Sequence, residues 1–87
     1  MRAIIRFSLN NDEESRLRNP LYNILVGQYG FTKHGGKTAT YENTDISEAQ
    51  FSKVMCDFWD QAVNPPNDAS IDHVWAYCDN PSGEPAA

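Results

Sequence analysis

Cysteine is scarce in this 87-residue chain: there are two, Cys56 and Cys78, with no CxxC spacing. That excludes a disulfide framework. Two cysteines and two histidines at separated positions do not make the three or four converging ligands of a metal centre, so no metal site is expected. Long apolar runs are also missing. No stretch approaches the roughly 20 residues that span a bilayer, so no transmembrane helix and no membrane partner are expected. The start of the chain, Met1-Arg2-Ala3-Ile4-Ile5-Arg6-Phe7, is too short and too charged for a signal peptide, and the chain is read as a mature cytoplasmic protein. Basic residues are outnumbered, 7 against 12 acidic, for a net charge of −5. Phosphate repels such a protein at distance, which argues against non-specific nucleic-acid binding by the surface as a whole. At this length a chain hides only about 60–65% of its extended surface, enough for one core and not two.

The charge that is present is uneven. Residues 1–38 hold six basic groups (Arg2, Arg6, Arg16, Arg18, Lys33, Lys37) and three acids, a net of +3. Residues 39–87 hold Lys53 and nine acids, a net of −8. A local basic patch is therefore available to the first half alone.

Periodicity divides the chain into six elements. Ala3, Ile5, Phe7 and Leu9 alternate with Arg2, Ile4, Arg6 and Ser8, the period-two pattern of a half-buried strand. Asn10 to Arg18 is polar and reads as a loop or a frayed turn. Asn19-Pro20 predicts a helix start, with Asn19 as cap and Pro20 first, where its missing N–H costs nothing; a start nearer Asp12, with Leu17 on the apolar face, would put Pro20 in the interior at about 3 kcal/mol, so the later start is preferred. Leu21, Ile24 and Leu25 follow at helical spacing. Gly30 suits a left-handed terminus, with Phe31 closing it. Gly35-Gly36 predicts a hairpin between 31–34 and 37–43. Ser47 and Gln50 form a capping-box pattern, flanked by Ile46 and Phe51 as a hydrophobic staple. A helical stripe of Phe51, Val54, Met55, Phe58, Trp59 and Ala62 then runs to Val63, before Asn64-Pro65-Pro66. Residues 71–78 alternate again, and 80–87 are expected to form a disordered tail behind a single domain of residues 1–79.

Strand, helix, strand, strand, helix, strand is the α+β ferredoxin-like order βαββαβ: a four-stranded antiparallel sheet with two helices on one face. The helix-facing side should take Ala3, Ile5, Phe7, Leu9, Ala39, Tyr41, Val74, Ala76 and Cys78. The open side should take Arg2, Ile4, Arg6, Ser8, Thr38, Thr40, Glu42, His73, Trp75 and Tyr77. Arginines beside aromatics on a sheet suit stacked single-stranded bases, which makes Arg2, Arg6 and Trp75 the candidate nucleic-acid-binding residues. The same side chains suit a homodimer interface through the open sheet face.

Other candidates are weaker. His34-Gly35-Gly36-Lys37 offers an imidazole and an ammonium on a turn, but lacks the length of a P-loop, and a solvated hairpin tip accounts for it. Asp72 and His73 are neighbours on a strand, so alternation should send them to opposite faces and deny them a dyad. Cys56 and Cys78 read as buried or half-buried small hydrophobes. No nucleophile with supporting groups is evident, and no catalytic residue is assigned. Asp57 and Asp60, three apart on the second helix, with Asp45, Glu48 and Asp68 nearby, describe an acidic surface.

The layout resembles the virulence-associated protein D family, and more distantly the small dimeric subunit of the CRISPR adaptation complex. The resemblance rests on Phe7-Ser8-Leu9 at the end of the first strand, Asn19-Pro20, Gly30-Phe31, Tyr41-Glu42-Asn43 and the amphipathic second helix, over roughly residues 2–63. It implies a ferredoxin-like homodimer and an endoribonuclease of the toxin–antitoxin type. That family's first strand ends in an aspartate, and Ser8 stands at the matching position. A hydroxyl brings neither the negative charge for Mg²⁺ nor a carboxylate base, so Mg²⁺ enters only if the chain is an active nuclease. Two function classes follow as expectations: an RNA-directed homodimer, or a non-enzymatic acidic interaction module or inhibitor that binds a basic partner protein.

Overall fold

A computed structural model of the chain describes residues 1–12, 15–35, 40–64 and 69–79. The hairpin tip at Gly36–Ala39, Asp68 and the expected tail at 80–87 lie outside the described residues. Four strands form one antiparallel sheet: β1 (Arg2–Asn10), β2 (Thr32–His34), β3 (Thr40–Asn43) and β4 (Ser70–Asp79), in the order β2-β3-β1-β4. Two helical segments pack on one face. The first runs as α1 (Arg18–Tyr22) and widens without a break into a π-helical stretch, Asn23–Gln28; the second is α2 (Glu48–Ala62). This is the βαββαβ, α+β ferredoxin-like arrangement that the hydrophobic periods imply. Among the described residues no helix is long and apolar enough to cross a membrane.

The strand phases follow the sequence pattern. Ala3, Ile5, Phe7 and Tyr41 are buried under the helices, with Leu21 and Leu25 from the first helical segment and Val54, Phe58 and Ala62 from α2. Phe7 sits at the centre. Its ring stacks on Tyr41 at 5.6 Å between centroids, meets Phe58 edge-on at 5.3 Å, and lies 5.7 Å from the Arg18 guanidinium. Burial pushes the Tyr41 phenol pKa up, and Arg18 pulls it the other way.

The helix ends divide into one as expected and one displaced. At α2 the Ser47 hydroxyl accepts the Gln50 N–H at 3.1 Å, and the Gln50 side chain accepts the Ser47 N–H at 3.0 Å, completing the capping box. Ile46 before it is buried and Phe51 packs against the core. Ser47→Ala should cost about 1 kcal/mol, read as a lower midpoint in urea at unchanged slope. The first helix, in contrast, does not start at Asn19. Leu17 is its N-cap, and Pro20 is the third helical residue. The cap is supplied from a distance: the Asp12 carboxylate accepts the N–H of Leu17 at 2.7 Å and of Arg18 at 3.1 Å. Pro20 remains tolerable because N–H groups in the first turn have no helical partner to lose. The far end closes as the sequence suggests. Gly30 adopts φ +73°, and the N–H of buried Phe31 reaches the Leu25 carbonyl at 2.8 Å.

Three side chains depart from expectation. Trp59 belongs to the α2 stripe by spacing but lies at its margin, 45% exposed. Cys56 points away from the core on α2, and Cys78 is exposed on β4; neither is a buried hydrophobe. The reason at Cys78 is coverage. β4 is an edge strand, and the core takes in its Ile71 and Val74 but leaves Ala76 and Cys78 open on the helix-facing side.

Candidate functional site

The uncovered sheet face carries a row from each strand. Register pairs Arg2 with Asp79, Ile4 with Tyr77, Arg6 with Trp75 and Ser8 with His73 across β1 and β4. On the other flank, Ile4 pairs with Glu42 and Arg6 with Thr40. A cleft of about 490 Å³ opens on this face, lined by Ile4, Arg6, Thr40, His73 and Trp75. Its size is within the usual range for small-ligand pockets. Trp75 and Tyr77, 50% and 42% exposed, stack on each other beside it with centroids 5.8 Å apart and planes 3° from parallel.

The three candidate nucleic-acid-binding residues divide into two places. Arg6 and Trp75 meet in the cleft. Arg2 does not join them. Its guanidinium donates to Asp79 Oδ2 at 2.8 Å and stands 4.0 Å from Glu42 Oε2. Asp79 also accepts the Tyr77 hydroxyl at 3.1 Å, and the Arg2 hydrogen bond holds its carboxyl below the usual carboxylate range. Arg6 makes no ion pair among the described residues, so its charge is the one in the cleft open to a ligand. His34, at the start of the hairpin tip, is exposed and lies 3.6 Å from Glu42. The acidic surface of α2 is partly committed as well: Asp57 accepts hydrogen bonds from the Tyr29 hydroxyl and the Gln28 amide.

Asp72 and His73 overturn the alternation argument. They come together with Ser8. The Ser8 hydroxyl lies 2.9 Å from Asp72 Oδ2 and 2.9 Å from His73 Nδ1, and Nδ1 lies 3.1 Å from the same carboxylate oxygen. A β-bulge is the cause. Ser8 faces His73 and Leu9 faces Ile71, so β4 advances two residues where β1 advances one, and Asp72 is the extra one. A bulge re-aims the side chain it inserts. The signal was present in the sequence. Ile71 and Val74 both pack against the core, yet they are three apart, which an unbroken period of two cannot do.

The proton positions follow from the triangle. The single Ser8 proton goes to the carboxylate, which can only accept, so Nδ1 carries a proton shared between Ser8 Oγ and Asp72 Oδ2. In the neutral imidazole that leaves Nε2 of His73 as the acceptor nitrogen, with no partner among the described residues. The Ser8 hydrogen bond, and then that of His73, hold the Asp72 carboxyl below its ordinary pKa. The cluster is not a serine-nucleophile relay, because Ser8 and Asp72 engage the same imidazole nitrogen instead of opposite ones. Among the described residues no group of three or more His, Cys, Asp or Glu stands together to hold a metal ion. No family model, curated protein or solved structure matches the chain.

Proposed function

We propose that this chain is an RNA-directed protein whose open sheet face binds single-stranded RNA. The observation that carries it is the cleft where the unpaired Arg6 guanidinium faces the stacked Trp75–Tyr77 pair. Exposed aromatic planes accept bases, and an arginine beside them accepts a phosphate. Kinship with the virulence-associated protein D family belongs to the same proposal, supported by the shared element order. So does a homodimer in which two open faces border a common groove, supported by the exposed Trp75 and Tyr77.

Charge sets the character of the binding. The open face sets Arg2 and Arg6 against Glu42, Asp72 and Asp79, so stacking supplies most of the affinity. With one phosphate neutralised, the logarithm of the binding constant should fall against the logarithm of salt with a slope of about −0.7. Fluorescence polarisation on a mixed-sequence 12-nucleotide single-stranded RNA pool measures it. Arg6→Ala should weaken binding and bring the slope towards zero. Equal affinity and slope in the variant sink the proposal. Light scattering tests the dimer separately, since a monomeric mass removes that part alone.

A further inference from the structure

We propose that His73 is the general base of a metal-independent RNA cleavage in the cleft, with Asp72 as its positioning residue and Arg6 as the phosphate clamp. This inference rests on the RNA-binding proposal. The geometry supplies each part. The bulge fixes the imidazole by Nδ1 and leaves Nε2 as the basic nitrogen on the cleft side of the sheet. Arg6 and His73 sit diagonally across β1 and β4, a separation of about 7 Å between such positions. That distance suits one group on a ribose hydroxyl and the other on the adjoining phosphodiester. Trp75, opposite Arg6, is placed to stack the base of the same nucleotide. Among the described residues the charged groups facing His73 are Asp72 on its own strand and Arg6 on β1; β4 is an edge strand, with no described strand on its outer side.

The reaction balances without a metal or an oxidant. His73 Nε2 takes the proton of the ribose 2′-hydroxyl as the 2′-oxygen forms a bond to phosphorus. The P–O5′ bond breaks, and its electron pair stays on the 5′-oxygen. That oxygen takes a proton from water, and the imidazolium returns its proton to solvent. The products are a 2′,3′-cyclic phosphate and a 5′-hydroxyl. The Arg6 guanidinium stabilises the charge that gathers on the phosphoryl oxygens in between. Asp72 touches no reacting atom. It holds the proton on Nδ1, so that the neutral ring presents its lone pair at Nε2.

The test incubates the full chain with the mixed-sequence RNA pool and with its all-deoxy counterpart, both in EDTA, and analyses fragment ends by mass spectrometry. The RNA should yield 2′,3′-cyclic phosphate ends, while the deoxy pool is bound and stays whole. His73→Ala should cut about 10²–10⁴-fold more slowly, with added imidazole restoring part of the rate. Asp72→Asn should lower kcat and leave KM within about twofold, a split that loss of binding would not produce. His73 is exposed on an edge strand, and circular dichroism checks that the variants fold. RNA that is bound but stays intact in EDTA, cleavage that needs Mg²⁺, or undiminished cleavage by His73→Ala overturns the inference and leaves the RNA-binding proposal standing. Failure to bind either pool overturns both.

Discussion

Phe58→Ala should lower the stability of the domain by about 3–5 kcal/mol, the range for truncating a buried aromatic. For a domain of this size that is a fall in Tm of roughly 15–30 °C. Phe58 is fully buried and meets Phe7 edge-on, and through that contact α2 is seated on the centre of the sheet. A single core in so short a chain has few other contacts to compensate. Scanning calorimetry checks it, with Trp59→Ala as the comparison. Trp59 follows directly in sequence but is 45% exposed, so its removal should cost far less. Equal losses from the two variants would mean that α2 is rotated from the orientation described.

The second large effect is expected at Trp75. Alanine there should reduce affinity for the single-stranded RNA pool about 5- to 150-fold, the equivalent of about 1–3 kcal/mol for one base stack. The chain has two tryptophans, and only Trp75 lies on the open face, since Trp59 projects from α2 on the other side of the sheet. RNA should therefore quench the intrinsic fluorescence of the wild type and leave that of Trp75→Ala unchanged. Because Trp75 is half-exposed on an edge strand, thermal stability should hardly move. A variant that binds as well as the wild type would remove the stacking platform from the proposal.

The sequence and the structure agree wherever a physical cause is local. The period of two in Arg2–Leu9 sets which side of β1 is buried, because a one-residue slip would expose Ile5 and Phe7 together. Ser47 and Gln50 satisfy each other within one helical turn, so that start was legible. The start of the first helix was not. Its cap, Asp12, stands outside the turn it serves, and no short pattern marks that relation. Alternation places Ala76 and Cys78 on the helix side correctly, but it carries no information about how far the helices extend. In the cleft, Arg6 and Trp75 were visible as neighbours in phase. Strict alternation hides Asp72, because β4 breaks its own period at the bulge, and it hides the Ser8–Asp72–His73 triangle with it.

The bulge also makes β4 unequal in its tolerance of altered length. Removing a residue from Trp75 to Tyr77 would invert every side chain on one side of the deletion, whereas removing either residue between Ile71 and Val74 leaves both in the core. Removing Asp72 alone would restore a regular ladder, with Leu9 still facing Ile71 and Ser8 still facing His73. The Asp72–His73 step is thus the reading-frame joint of β4. Loss of Asp72 there would shed a carboxylate and keep the packed domain while changing the chemistry of its open face.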